Sequence, residues 1–469
     1  MRGGILAGTL GPGARLPPSR HLAEELGVAR QTVVLAYERL AAEGYVNARV
    51  GSGTFVADDL PDALPASPSW RPPAEANGGA ALSRRGAAIA ATPISASGPA
   101  GMAGALLAAG VPAPELFPLA AWASATARVL RAMMPDQLGY PDPQGLPALR
   151  VAIAGHLAAT RGLLTAPAQI VVTSGTQQAL RVAGELLLDP GDAAWVEDPG
   201  YIAGRGALQA AGARLVAVPS DADGLDVQAG IRACPNARLV LVAPSHATPL
   251  GGALPVGRRL ALLDWASRAG AWVLEDDCDS EFRWEGKPLP PLASLDREGD
   301  RGGRVIYCGT FSKTLAPALR LGFAVLPPGL VAAFVRARAL GDRGPAALGQ
   351  AVLADFMQAG RLAPHIRRMR TEYARRRDAL LAAFAKHCPA TTALTAPGGL
   401  HLVCTLAPQI DEARVAAAAR ARGLSVTPLA GYFAGLPRLN GLVIGFASTP
   451  TARATEAAKA LAGAIRAAM

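Results

Sequence analysis

A chain of 469 residues, half of them apolar, with 5% aromatics and a net charge of +10, has room for two to four domains of roughly 150 residues. It contains no run of ~18 uncharged apolar residues, which argues against a membrane span, and its Met1-Arg2-Gly3-Gly4 start lacks the apolar core of a secretory leader. Five cysteines with no C-x-x-C pair fit a reduced cytoplasm better than a disulfide framework, and no cluster has metal-ligand spacing. Only four of the 46 basic residues are lysines: Lys287, Lys313, Lys386 and Lys459. In a chain so biased toward arginine, a lysine in an apolar setting raises a chemical question.

Ser19 can cap a helix running through Leu26, Gly27-Val28 makes a tight turn, and a second helix is expected from Ala29 to Glu43 with Val33, Val34, Tyr37 and Leu40 on its inner face. Helix, glycine turn, helix is the pattern of a helix-turn-helix, and the start of the second helix presents Arg30, Gln31 and Thr32 to base edges and phosphates. Tyr45–Val50, Gly51-Ser52-Gly53 and Thr54-Phe55-Val56 then read as a two-stranded wing. Arg15, Arg20, Arg30, Arg39 and Arg49 supply positive charge. The bland alternative is a helical hairpin with solvated arginines. The stretch "LPPSRHLAEELGVARQTVVLAYERLAAEGYVNARVGSGTFVA" resembles the GntR family of winged helix-turn-helix regulators. The resemblance implies DNA contacts at Arg15, Arg20, Arg30, Gln31, Thr32 and Gly51. Members carry a full first helix, whereas this chain begins near that helix's end at "RGGILAGTL". An upstream start, or loss of part of the DNA-binding core and of its packing on Leu22, Leu26 and Leu40, would account for this.

Residues 58–97, rich in proline, glycine and small side chains, read as a flexible linker. From about Leu116, apolar strand-like runs alternate with alanine-rich helical patterns: Gln169–Thr173, Ala193–Glu197, Arg214–Val218, Leu239–Ala243, Ala271–Glu275 and Val305–Cys308. This alternation predicts an α/β domain with a largely parallel sheet buried on both faces. Longer helices (Arg361–Cys388, Asp411–Arg422, Thr451–Met469) and short strands (His401–Leu406, Leu442–Phe446) follow, as in a smaller α+β domain. The expected organisation is a DNA-binding module at 1–57, the linker at 58–97, and an α/β domain at 98–469, with a large part at about 136–345 and a small part at about 346–469.

Lys313 lies between two hydroxyls in an apolar loop after the Val305–Cys308 strand. Schiff-base chemistry needs a primary amine, which arginine cannot supply; a snorkelling surface lysine is the alternative. Thr310, Ser312 and Arg320 suit a phosphate. Val171-Val172-Thr173-Ser174-Gly175-Thr176-Gln177-Gln178 reads as strand, turn and helix start, which aims N–H groups at an anion, or is an ordinary strand–helix turn. Glu275-Asp276-Asp277 ends a buried strand, where a carboxylate can keep a pyridine ring protonated, or is a solvated acidic loop. Tyr201 can stack on a ring or belong to the core. With "YPDPQGLPALR", "TSGTQQAL" and "FSKTLAPALRLG", the chain from Leu116 onward resembles the pyridoxal 5'-phosphate (PLP) aminotransferases of fold type I. The resemblance implies an internal aldimine at Lys313 and pairing of Asp276 with the pyridine nitrogen. It also implies that Ser174, Gly175, Thr176, Gln177, Thr310, Ser312 and Arg320 surround the phosphate, with Tyr201 on the ring.

A GntR-type module joined to such a domain, with "EDDCDSEFRWEGKPLPPL", resembles the MocR subfamily of bacterial regulators. Its implied partners are a double-stranded DNA operator, a second copy of the chain in a head-to-tail, domain-swapped homodimer, and a small amine or amino-acid effector. The chain departs from these patterns at Cys278, which replaces a tyrosine near the cofactor's phenolic oxygen. Thr248-Pro249-Leu250-Gly251 replaces Asn-Pro-Thr-Gly, Val443 stands where an arginine grips a substrate carboxylate, and Ala203 stands where GABA-responsive relatives carry an arginine. His246 and His401 are expected near the site or as satisfied structural histidines, and Arg367, Arg368, Arg370 and Arg375–Arg377 as a solvated helix face or a surface for DNA. The expected function is a PLP-dependent transcriptional regulator with weak or no transaminase activity. An active aminotransferase with a remnant DNA-binding module is the alternative, and a PLP reservoir without regulation a weaker third.

Overall fold

The computed structural model describes residues 1–49, 52–60, 82–92, 105–286, 289–296, 303–389 and 391–469. The chain divides into two units, Met1–Ala81 and Leu82–Met469.

In the first unit, helices Arg2–Leu6, Ser19–Leu26 and Arg30–Ala42 precede strands β1 (Val46–Arg49) and β2 (Gly53–Val56), which pair antiparallel from Val46↔Val56 to Arg49↔Gly53. Ser19 is the first residue of its helix, with Pro18 as the cap. Gly27 ends that helix in the left-handed conformation, which a residue without Cβ adopts at little cost. Ile5, Leu16, Ala23, Val33, Tyr37, Leu40, Tyr45, Val46 and Val56 form one core with Leu22 against it. Of the three leucines whose packing a shortened first helix would remove, Leu40 is buried in this core and Leu22 packs against it, whereas Leu26 is 59% exposed. Gly51 lies outside the described residues, as does most of the span read as linker. A short helix, Arg84–Ala90, stands within that span, capped by Ser83 and tied by Arg85 Nε to Ala210 O at 2.9 Å.

The second unit is built on an eight-stranded sheet. Its strands are β3 (Ile170–Thr173), β4 (Ala193–Asp198), β5 (Arg214–Asp221), β6 (Gly224–Leu225), β7 (Leu239–Val242), β8 (Trp272–Asp277), β9 (Val305–Thr310) and β10 (Gly322–Val325), in the spatial order β3-β10-β9-β8-β7-β4-β5-β6. β4, β5, β7, β8 and β9 are parallel. β10, which the periodicity did not predict, runs antiparallel between β3 and β9. Side chains alternate between two buried faces, as a strand's period of two requires. Trp195, Val240 and Val242 pack with Leu262 and Trp265 of the helix Val256–Ala269 on one face. Val196, Leu241, Leu274 and Ile306 pack with Ala179 and Leu180 of the helix Thr176–Leu187 on the other. At ~1.5–3 kcal/mol for each large side chain, these layers hold the strand ends in place.

The carboxy-terminal part carries strands β11 (Thr392–Leu394), β12 (His401–Thr405), β13 (Thr427–Pro428) and β14 (Gly441–Gly445), in the order β11-β12-β14-β13. Helices Leu362–His387 and Ala454–Arg466 pack against them. The arginine run on the first of these is not uniformly solvated. Arg376 is buried and donates to Ala447 O and Glu115, and Arg370 donates to Glu281 O.

Candidate functional site

Parallel strands deliver their carboxyl ends to one edge of a sheet, and the loops leaving that edge converge there. Here β3 ends at Thr173 and turns through Ser174-Gly175 into the helix Thr176–Leu187. β8 ends at Asp276-Asp277, and β9 ends at Thr310 ahead of the loop carrying Lys313. Antiparallel β10 starts at the same edge, Gly322 pairing with both Thr173 and Thr310. A Cβ on Gly322 would lie 2.7 Å from Gly175 Cα and 2.8 Å from Gly309 O, so glycine is what lets the Gly175 turn and the lysine loop approach.

These loops enclose a cavity of about 320 Å³ lined by Gly175, Thr176, Gln177, Tyr201, Asp276, Thr310, Ser312, Lys313 and Arg320. Nine of the ten cofactor positions named from the sequence thus share one cavity. Ser174 is not among its lining residues; its N–H donates to Gln178 Oε1 at 2.8 Å. Three further groups had no sequence signal: the Ala109–Val111 segment, Asp279 and Tyr432. Lys313 Nζ donates to Gly110 O. Thr310 Oγ1 donates to Ser312 Oγ at 3.0 Å, and Tyr201 OH to Gln177 Oε1 at 3.4 Å. Arg320, left-handed at φ 49°, has no side-chain hydrogen bond or ion pair among the described residues.

Two buried atoms at the cavity lack partners, Asp276 Oδ1 and Thr176 Oγ1. Orphaned buried polar atoms are costly and call for a ligand or another explanation. Burial pushes the Asp276 carboxyl up to about 7, helped by repulsion from Asp277 and Asp279 and opposed by Lys313. Its neighbour Asp277 pairs with Arg161 at 2.8 Å and accepts from Tyr307 OH at 2.6 Å. Burial alone would lower Arg161, but Asp277 overrides it and holds the guanidinium charged. The half-buried Cys278 thiol is pushed well above its ordinary value by desolvation and by the charges of Asp279 and Asp276, and stays protonated.

Val443, Thr248, Cys278 and His401 all line the cavity, whereas Arg438 turns away to Asp198. Asp279 accepts from His246 Nδ1 at 3.1 Å, and His401 Nε2 lies 3.0 Å from Pro249 O. His246, Asp279 and His401 are grouped closely enough to share an ion, a cluster that linear spacing did not reveal.

In the amino-terminal unit, Arg15, Arg20, Arg30, Gln31 and Thr32 are exposed. None of their side chains has a hydrogen bond or ion pair among the described residues. Arg30, Gln31 and Thr32 occupy the first turn of their helix. Arg15 bridges to Phe55 of the wing, and the Arg49 guanidinium lies over the Phe55 ring, 5.1 Å from its centroid.

The profile of aminotransferase class I and II matches residues 105–461, and that of the gntR family of bacterial regulatory proteins matches residues 1–56. The chain is 40% identical to the probable rhizopine catabolism regulatory protein MocR of Rhizobium meliloti, over 95% of this chain and 88% of that protein. It is 35% identical to the pyridoxine biosynthesis transcriptional regulator PdxR of Corynebacterium glutamicum, over 95% and 89%. Among solved structures it is similar to the α-aminoadipate aminotransferase LysN of Thermus thermophilus, complexed with N-(5'-phosphopyridoxyl)-L-leucine. That match has 29% identity and a TM-score of 0.71, and covers 78% of this chain and 92% of that one.

Proposed function

The chain belongs to the MocR subfamily of GntR-type bacterial regulators, and from that membership we propose that it regulates transcription by binding operator DNA through residues 1–57 and sensing PLP, or an amine or amino acid held with PLP, at Lys313. The observation that carries the reading is the pairing, in one cavity, of the Lys313 amine with an orphaned and buried Asp276 oxygen. That donor set fits PLP. Asp276 Oδ1 is the acceptor a protonated ring nitrogen requires, and its carboxyl ionises most readily when such a partner arrives. Thr176 Oγ1, Gly175, Gln177, Thr310, Ser312 and Arg320 would hold the phosphate at a helix N-terminus, with Ser174 outside the cavity lining. Tyr201 would flank the ring. When bound, PLP supplies an aldehyde that captures amines and a ring that withdraws electrons.

The cytoplasm is the setting for such a regulator, and no helix among the described residues is long and apolar enough to cross a membrane. Ligand binding regulates only by favouring one arrangement of the protein over another, and the proposed site of that choice is a head-to-tail homodimer. Val443 in the cavity wall and the outward turn of Arg438 weigh against efficient transamination. Losing a bidentate, charge-assisted carboxylate contact costs on the order of 1.5–3 kcal/mol.

The test is spectroscopic. PLP added to the full-length protein is expected to give a long-wavelength absorbance band that Lys313→Ala abolishes and Asp276→Asn alters. The same band in both wild type and Lys313→Ala contradicts the assignment of the lysine.

A further inference from the structure

The cavity around Lys313 has two chemically different walls. One carries Thr176, Thr310, Ser312 and Arg320, the groups suited to phosphate. The other comes from the carboxy-terminal sheet and its neighbours: His401 on β12, Val443 on β14, Tyr432, Thr248 and Asp279. Among the described lining residues, the lysine and arginine side chains are Lys313 and Arg320, and the proposed function commits both to the cofactor.

Three arginines close to the cavity residues have other partners. Arg438 donates to Asp198 O at 2.8 Å and to Asp198 Oδ2 at 3.1 Å, over the ring of Phe433. Arg205 donates to Tyr432 O at 2.5 Å and Gly431 O at 2.7 Å. Arg161 is held by Asp277 and Ser245.

The second wall instead offers acceptors. A carbonyl can only accept, so His401 carries its proton on Nε2, which faces Pro249 O at 3.0 Å. Burial, reinforced by His246, pushes His401 down to about 4, so the ring is neutral and its Nδ1 is an acceptor. Burial disfavours charge on Asp279, yet His246 at 3.1 Å overrides it and keeps the carboxyl below its ordinary range. A carboxylate brought to this wall would shed its hydration and meet a like charge and a lone pair. An ammonium or hydroxyl would find partners.

We propose that the ligand sensed together with the cofactor is a primary amine lacking a carboxylate, whose far end donates hydrogen bonds to His401 and Asp279. The proposal rests on the reading that Lys313 and Asp276 hold PLP.

Three probes separate the alternatives: 1,4-diaminobutane, 4-aminobutan-1-ol and 4-aminobutanoate share an amine and a four-carbon spacing and differ at the far end. They are titrated calorimetrically into the full-length, PLP-loaded protein. The ammonium-ended and hydroxyl-ended probes are expected to bind at least about tenfold more tightly than the carboxylate, the factor one charge-assisted contact carries. His401→Phe, whose folding is checked by its melting curve, is expected to narrow that gap to a few-fold. Equal affinities, tighter binding of 4-aminobutanoate, or no binding of any probe to the loaded protein overturns the proposal. A protein that takes up no PLP fails both this proposal and the reading beneath it, which absorbance registers before any probe is added.

Discussion

Glu197, behind the cavity at the end of β4, shows how burial alone can set an acid's behaviour. Burial pushes its carboxyl up from 4.5 to about 8, although Ala243 N–H donates to it at 3.2 Å. Glu275 and Asp276 are each pushed up to about 7 by burial. An acid whose folded value lies above its unfolded one holds a proton that unfolding releases. Its stabilising contribution is complete below the unfolded value and is lost as pH rises through the folded one. His401 and His365 are lowered by burial and act in the opposite sense, but only below their ordinary 6.5. Between about pH 6.5 and 8, the cofactor-free protein is therefore expected to lose stability as pH rises. Glu197→Gln keeps an acceptor for Ala243 and should flatten that slope by about 1–2 kcal/mol over the window. Urea unfolding across this range measures it, and an identical slope in the variant refutes the assignment.

Lys313 was legible in the sequence because lysine is rare in this chain and its flanking hydroxyls are close by. Asp279 was not: its partner His246 lies 33 residues away, and nothing in local spacing announces that pair. Arg376 was misread for a related reason. It sits in a run of arginines, and only the fold reveals that its face of the helix turns toward Glu115 and Ala447.

At the scale of elements, the long parallel strands were readable because each is a short apolar run buried on both faces. The observed bounds of β4, β7, β8 and β9 fall within one or two residues of the predicted ones, and β5 runs three residues further, to Asp221. β10 was missed because four residues, Gly322–Val325, follow a loop too closely to show a period. Yet β10 brings the Gly175 turn against the lysine loop. The segment 106–110 was missed as well, having no regular structure to predict. It is held by Gly445 N–H to Leu107 O, Ser425 N–H to Leu106 O and Leu107 N–H to Thr449 Oγ1, each 2.9 Å, and it places Gly110 against Lys313. A Cβ on Gly445 would stand 1.9 Å from Ala108 O. Gly445→Ala is expected to cost about 1–3 kcal/mol through overpacking and to weaken PLP uptake. Gly257→Ala, on a helix where an added Cβ meets nothing, should be neutral or stabilising by ~0.5–1 kcal/mol. Thermal melts and PLP titrations of both variants check this, and equal effects would remove the role given to the 106–110 segment.

At the scale of the whole molecule, the two units carry different chemistry, a set of exposed arginines on a winged helix-turn-helix and a cofactor-shaped cavity on an aminotransferase fold. The charge of the first has a direct consequence in salt. Phosphate contacts release counterions, so DNA affinity should fall steeply with ionic strength, and Arg30→Ala should lower that log–log slope by about 1. Binding isotherms at several salt concentrations give the slope, and an unchanged value would take Arg30 off the phosphate backbone. The central claim is that occupancy of the Lys313 site alters DNA binding. The most direct measurement is a gel-shift titration of the full-length protein on the DNA upstream of its own gene, with and without PLP, beside Lys313→Ala. The expected result is specific binding whose affinity changes with PLP in the wild type and does not change in the variant. Specific binding that is indifferent to PLP, in a protein whose absorbance shows PLP bound, would contradict it.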